Sequence, residues 1–162
     1  MIVVSDTTPL NYLILINALE VLPKLFDEVY VPSSVMRELS DPRAPAIVRR
    51  WTQSRTWLKL ADPLSRLPST ASLDAGEADA ISLAKERGII DLLIDEYRGR
   101  KVAAAEGLFA LPTLAVIERS AEQGLLELRP TLEALTRTTY RVRPELITAA
   151  LQRDAVRRAP KP

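Results

Sequence analysis

Two brief apolar runs each stop on an aspartate: Val3-Val4-Ser5-Asp6 near the start and Leu92-Leu93-Ile94-Asp95 past the middle. Buried strands of a parallel sheet read as such runs, and their carboxyl ends open onto the crevice where α/β proteins bind ligands. Two aspartates at two such ends can face one another across one site, however far apart they lie in sequence. Glu38 and Glu77 stand between them, each on a predicted helix. The chain holds no histidine and no cysteine, so catalysis would fall to carboxylates, hydroxyls, amides and cations. Acids gathered without basic neighbours repel one another unless a cation neutralises them. Such a hard oxygen donor set suits Mg²⁺ or Mn²⁺.

Each acid also has an ordinary structural role. Asp6 can cap the helix that follows it, and Asp95 can do the same for its own successor. Asp74-Ala75-Gly76-Glu77 is close to a capping box, with Glu77 reaching back to the helix start. Glu38 fits the exposed side of an amphipathic helix. Taken singly, these roles compete evenly with chemistry; four acids converging from two strand ends and two helices weaken them. Asp79 lies roughly 200° around the helix from Glu77, so the two cannot share a site. On this reading Asp79 faces solvent, and Ile81 and Ala84 share the Glu77 side.

The elements needed to position these acids alternate in type. Strands are expected over 2–5, 28–31, 92–94 and 108–111, with an extended stretch over 57–60. Helices are expected over 8–19, 21–26, 46–53, 74–87, 98–106, 114–123, 131–137 and 144–157, and another starts at 32–34 and carries Arg37 and Glu38. Pro and Ser make 62–72 a loop. Gly88 and Gly107 stand where helices should stop.

With 162 residues, 47% of them hydrophobic, the chain is long enough for one domain with a full core. Absence of cysteine excludes a disulfide framework, thiolate zinc sites and a cysteine nucleophile, and fits a cytoplasmic protein. The apolar run near Leu13 is broken by Asn11 and Asn17, well short of the roughly 20 residues of a membrane span. The net charge of +1 does not mark a nucleic-acid binder, but its distribution is uneven. Arg43, Arg49, Arg50, Arg55 and Lys59 cluster with Trp51 and Trp57 against the single acid Asp41. Such a segment could grip phosphates and stack a base; a solvated arginine face with tryptophans turned inward is the favoured reading. The basic C-terminal tail, with Arg153, Arg157, Arg158 and Lys161, is expected to fray.

In this order the motifs resemble the PIN-domain family. They are Val4-Ser5-Asp6-Thr7-Thr8-Pro9-Leu10, Val31-Pro32 leading to Glu38-Leu39, Asp74-Ala75-Gly76-Glu77-Ala78-Asp79-Ala80-Ile81, and Leu93-Ile94-Asp95-Glu96 with Gly99-Arg100. Leu111-Pro112-Thr113-Leu114 and Gly124-Leu125-Leu126 extend the match. More narrowly, the chain resembles the PIN-like branch of unknown function related to toxin–antitoxin ribonucleases. The resemblance implies an α/β/α sandwich around a parallel sheet, as a single domain over 1–162 with its motifs within 2–126 and a helical extension over 127–162. It implies a Mg²⁺- or Mn²⁺-dependent ribonuclease site at Asp6, Glu38, Glu77 and Asp95, with Thr8 assisting near the first aspartate. Many toxin-type members carry an acid one residue further along the fourth motif, which brings Glu96 into the set. Arg100 is a candidate for the substrate phosphate, or for an ordinary helix-surface ion pair. Pro112 stands where this branch often has glycine. RNA, a small antitoxin protein and a second copy of the chain are the partners implied. Two other classes stay open: a non-catalytic binding module on the same fold, and a phosphoacceptor signalling domain. The latter usually pairs adjacent acids after its first strand, whereas Asp6 is flanked by Ser5 and Thr7.

Overall fold

The computed structural model of the chain describes residues 1–54 and 57–160. Five parallel strands form its sheet: β1 (Ile2–Ser5), β2 (Glu28–Val31), β3 (Leu58–Leu60), β4 (Asp91–Leu93) and β5 (Phe109–Leu111). Their spatial order is β3-β2-β1-β4-β5. The chain builds outward from β1 in one direction, then returns and builds outward in the other. The strand order therefore reverses between β1 and β4, where open α/β sheets place their ligands.

Side-chain alternation along the strands makes the two cores. Val3 and Leu93 join the core on one face of the sheet, while Val4, Leu92 and Ile94 join the other. Strands buried on both faces must be apolar throughout, which is why these runs do not alternate with polar residues. On the first face pack α1 (Thr7–Leu15), α2 (Leu22–Leu25), α3 (Ser33–Leu39), α4 (Ala46–Trp51), α7 (Thr113–Glu122), α8 (Leu128–Thr136) and α9 (Pro144–Arg158). On the second pack α5 (Ala75–Arg87) and α6 (Tyr97–Ala105). This is the expected three-layer α/β/α sandwich.

Most expected elements are present, and the differences have local causes. The first helix stops at Leu15 rather than continuing to residue 19. Asn17 there takes φ 55°, a left-handed conformation that asparagine tolerates and a helix does not. A 3₁₀ turn at Leu19–Val21 then leads into α2. The expected loop before α5 also holds a 3₁₀ turn, Pro68–Thr70.

The basic tail is a correction. It forms α9, with Ala150 fully buried and Arg153 making two hydrogen bonds to Glu118 at 2.9 and 3.0 Å. Arg158 pairs with both Asp154 and Glu127. Packing and these pairs hold what composition alone reads as a loose end; Lys161 lies outside the described residues. Among the described residues, no helix is long and apolar enough to cross a membrane.

Trp51 and Trp57 lie against the first core with ring centroids 6.1 Å apart. Arg43 is paired with Asp41, and Lys59 with Glu28. The tryptophans are thus engaged in packing, as the solvated-face reading requires. Arg55 lies outside the described residues.

Candidate active site

Register sets the spacing of the first and last acids. Val3, Val4 and Ser5 stand beside Asp91, Leu92 and Leu93. The Asp6 amide then donates to the Leu93 carbonyl at 2.9 Å, which holds the ends of β1 and β4 together. Asp6 sits at the N-cap position of α1, yet its side chain makes no capping bond, so the cap role does not explain it. It is only 3% exposed. Burial, followed by repulsion from Asp74, Glu77 and Glu38, raises its carboxyl well above the usual range; the Thr7 amide offsets this only in part.

Glycine lets the second helix acid approach. A Cβ on Gly76 would lie 2.8 Å from Glu38 Oε1, 3.1 Å from Asp6 Oδ1 and 3.2 Å from Thr7 Oγ1. Any larger residue would push into the space between these two carboxylates. Thr7 Oγ1 also donates to Glu38 Oε2 at 2.6 Å. The hydroxyl beside this acid pair is therefore Thr7, whereas Thr8, the residue expected there, lines a neighbouring cleft.

Glu77 has the capping role weighed for it. The capping box is formed: Glu77 N–H donates to Asp74 at 2.9 Å, and the Asp74 N–H reaches Glu77 Oε2 at 3.4 Å. The residue is 4% exposed, and the long second bond is a weak one for its carboxylate. A Cβ on Gly99 would come within 2.5 Å of Ile94 Cδ1 and 2.8 Å of Glu77 Oε1, so α6 carries a glycine where both the core and this acid need room. Burial pushes the Glu77 carboxyl up to about 7, with Asp74, Glu96 and Glu38 adding to the rise.

Asp79 does not face solvent as expected. It is buried and holds Arg66 through two hydrogen bonds, at 2.6 and 3.2 Å. Burial pushes its carboxyl up, but Arg66 outweighs this and leaves it below the usual range. The 3.6-residue period correctly separates Asp79 from Glu77. What it cannot show is that the loop before α5 returns to cover that side of the helix.

Asp95 is anchored rather than free. It accepts the Thr113 amide at 2.9 Å and the Thr113 hydroxyl at 2.6 Å, and the Tyr140 hydroxyl donates to it at 2.6 Å. It thus fastens the start of α7 instead of capping α6, the helix that follows it. Burial raises its carboxyl, opposed by these bonds and by the charge of Arg100. Glu96 is exposed and lines the same cleft as Asp95. Arg100 makes no helix-surface ion pair, and its buried Nε has no acceptor among the described residues.

A family model described as a PIN domain matches residues 2–155. The chain belongs to the PIN-domain family. No match was found among curated proteins, and none among solved structures. PIN domains form a nuclease-like superfamily. The family match runs through α8 and most of α9, beyond the last of the motifs read from sequence.

A divalent cation fits the acids of this PIN domain in a specific sense. Among the described residues, no three acidic side chains form a ready-made cage. The expected set of Asp6, Glu38, Glu77, Asp95 and Glu96 is therefore not gathered around one point. Asp6 and Glu38 nevertheless border one small space across Gly76, with Glu77 buried beside them, and among the described residues no ion pair reaches any of the three. Mg²⁺ needs only one or two carboxylates and completes its shell with water and substrate phosphate.

Strand ends single out Asp6 and Asp95, and Glu38 and Glu77 stand on α3 and α5 as expected. Thr7, Gly76 and Gly99 lie inside motifs noted in the sequence, but only contact distances give them roles. Tyr140 was missed outright. It is 45 positions from Asp95, and no local pattern links them.

Proposed function

We propose that this PIN domain is a Mg²⁺- or Mn²⁺-dependent endoribonuclease that hydrolyses single-stranded RNA. The observation carrying the reading is the acid group at the carboxyl ends of β1 and α3 and the start of α5, where buried Asp6 and Glu77 meet the exposed Glu38 with no cation paired to them among the described residues. Acids held this way, without a cation, cost the fold stability and await a positive partner. When bound, the ion would lower the pKa of an attacking water and neutralise charge on the scissile phosphate.

The chain's own residues supply the rest. Asp6 and Glu38 would hold the ion, Thr7 fixes the rotamer of Glu38, and Gly76 keeps their space open. Glu77 adds negative charge beside them. Asp95, fixed by Thr113 and Tyr140, offers its remaining lone pair to the ion directly or to a water on it, with Glu96 at the rim. Arg100 keeps a buried donor for an incoming phosphate oxygen, and Thr8 lines the approach. A single strand suits this site because its bases can splay away from the reacting phosphate. A toxin role, a small antitoxin partner and a homodimer belong to the same reading by family analogy.

The test is cleavage of labelled single-stranded RNA with Mg²⁺ or Mn²⁺ and with EDTA. Cleavage should need the ion and vanish in Asp6→Asn, with the fold retained by circular dichroism. Ion-independent cleavage, or an active Asp6→Asn, would exclude the proposed chemistry. A folded protein that binds RNA but never cleaves it would favour the binding-module reading.

A further inference from the structure

A cleft of about 260 Å³ lies beside Asp95, lined by Thr8, Tyr12, Glu96, Thr139, Tyr140 and Arg141. Its far wall comes from the α8–α9 connection, residues 137–143, outside every motif read in the sequence. Two hydrogen bonds and a ring contact pin that wall. Tyr140 donates to Asp95 at 2.6 Å, its ring meets the Tyr12 ring edge-on at 4.9 Å between centroids, and Tyr12 and Thr139 share a hydroxyl hydrogen bond at 2.9 Å.

Several arginines of the chain are held by acids. Arg43, Arg66, Arg153, Arg157 and Arg158 each pair with a carboxylate. Arg141 is exposed on the cleft and has no hydrogen bond or ion pair among the described residues, although Asp95 and Glu96 line the same walls. A polyanion approaching a group of acids needs a cation at the entrance to offset their repulsion. Arg100, with its buried unpartnered Nε, lies near enough to act on both Asp95 and Tyr140. The cleft therefore carries one fixed acid and Arg141 with its donors to spare among the described residues, and Arg100 lies behind Asp95 outside the lining.

A carboxylate has roughly four lone-pair sites. Thr113 and Tyr140 occupy three of those on Asp95, so its orientation is set before any ligand arrives.

We propose that this cleft is the subsite for the RNA strand flanking the scissile bond, with Arg141 binding a backbone phosphate and Tyr140 acting as the positioning residue for Asp95. The proposal rests on the nuclease reading for Tyr140, but the Arg141 arm concerns binding alone. The C-terminal segment then completes the site instead of merely covering the core.

The experiment compares the full chain with Arg141→Gln and Tyr140→Phe, using a fluorescein-labelled oligouridylate. Anisotropy in EDTA should show weaker binding by Arg141→Gln and a salt dependence shallower by about 0.7 in log–log slope, the value for one phosphate contact on a single strand. Tyr140→Phe keeps the ring and should bind RNA like the parent. Its kcat should fall by roughly 10-fold or more with KM little changed, the range seen when partners of a metal ligand are removed. Mn²⁺ titration by electron paramagnetic resonance, without RNA, should show weaker binding in Tyr140→Phe and no change in Arg141→Gln. An unchanged salt slope in Arg141→Gln overturns the subsite. Unchanged kcat and Mn²⁺ affinity in Tyr140→Phe overturn the positioning role. If the parent binds RNA and never cleaves, the nuclease reading fails while the anisotropy comparison still decides the subsite.

Discussion

Glu77 and Asp79 lie two positions apart on α5, both buried, and they have opposite electrostatic fates. Asp79 found Arg66, and its carboxyl stays below the usual range. Glu77 found Asp74, Glu96 and Glu38, and its carboxyl rises to about 7. One is a structural ion pair that fastens the preceding loop. The other is a charge the fold has buried without compensation. A buried acid with a cationic partner is complete as folded, whereas one among other acids marks a place where something positive is missing.

The largest contrast should appear in cleavage. Glu77→Gln should lower ion-dependent cleavage by more than roughly 100-fold, beyond the usual cost of changing an outer-shell partner. Glutamine can still serve the capping box. Asp79→Asn should leave kcat within about twofold while lowering thermal stability by about 1 kcal/mol, since Arg66 is half exposed and the pair is partly screened. Equal activity of the two variants would erase the distinction.

The same contrast predicts a pH dependence without metal. The Glu77 carboxyl has a higher pKa in the folded chain, about 7 against an ordinary 4.5, so the fold binds this proton more tightly than the unfolded state does. Stability is then greatest below pH 4.5, falls as pH rises toward 7 and levels off above it. With solvent screening of this partly shielded carboxyl, the loss should be on the order of 1–2 kcal/mol. Asp6, raised for the same reasons, acts in the same direction. Thermal melts in EDTA at pH 5 and 7.5 should show this loss in the parent and a smaller one in Glu77→Gln. A pH-independent melt would mean that the acids are compensated after all.

Gly76→Ala sharpens the claim on the other side of α5. The added methyl must displace Glu38 Oε1 and crowd Asp6, so Mn²⁺ affinity should drop roughly 10–100-fold. Alanine is the better helix former by up to about 1 kcal/mol, so stability should hold or rise. Parent-like Mn²⁺ affinity would show that the space beside Gly76 is not the site. The smallest effect belongs to the basic run. Arg49→Gln with Arg50→Gln should leave the salt dependence of RNA binding unchanged, because the tryptophans that follow these cations are committed to packing. A slope shallower by about 1.4 would instead count two phosphate contacts there.

Strand ends and helices were legible because burial on both faces forces uninterrupted apolar runs, and Val3-Val4 and Leu92-Leu93 show it plainly. Asp6 and Asp95 could be placed at strand ends able to face one site for that reason, and the topology makes those strands neighbours. Other features depended on distant segments meeting. Asp79 looked solvent-facing since nothing on α5 foretells Arg66, 13 positions earlier, folding over it. Asp95 looked like a cap for α6 since Thr113 and Tyr140 lie 18 and 45 positions away. The tail looked frayed since its arginines are visible in sequence, while the acids they meet, Glu118 and Glu127, are on other elements. Gly76 was visible as a residue and illegible as a spacer, because its purpose is set by Glu38 and Asp6 on the far side of the contact.

The central claim is that the uncompensated acids around Gly76 hold a divalent cation. A crystal of the full chain soaked in Mn²⁺, with anomalous diffraction recorded near the manganese edge, tests it directly. The account predicts a peak bordered by Asp6 and Glu38, within reach of Asp95 directly or through water, and absent from Asp6→Asn crystals. An Mn²⁺ peak elsewhere with none at these carboxylates, or a peak that survives Asp6→Asn unchanged, would contradict it.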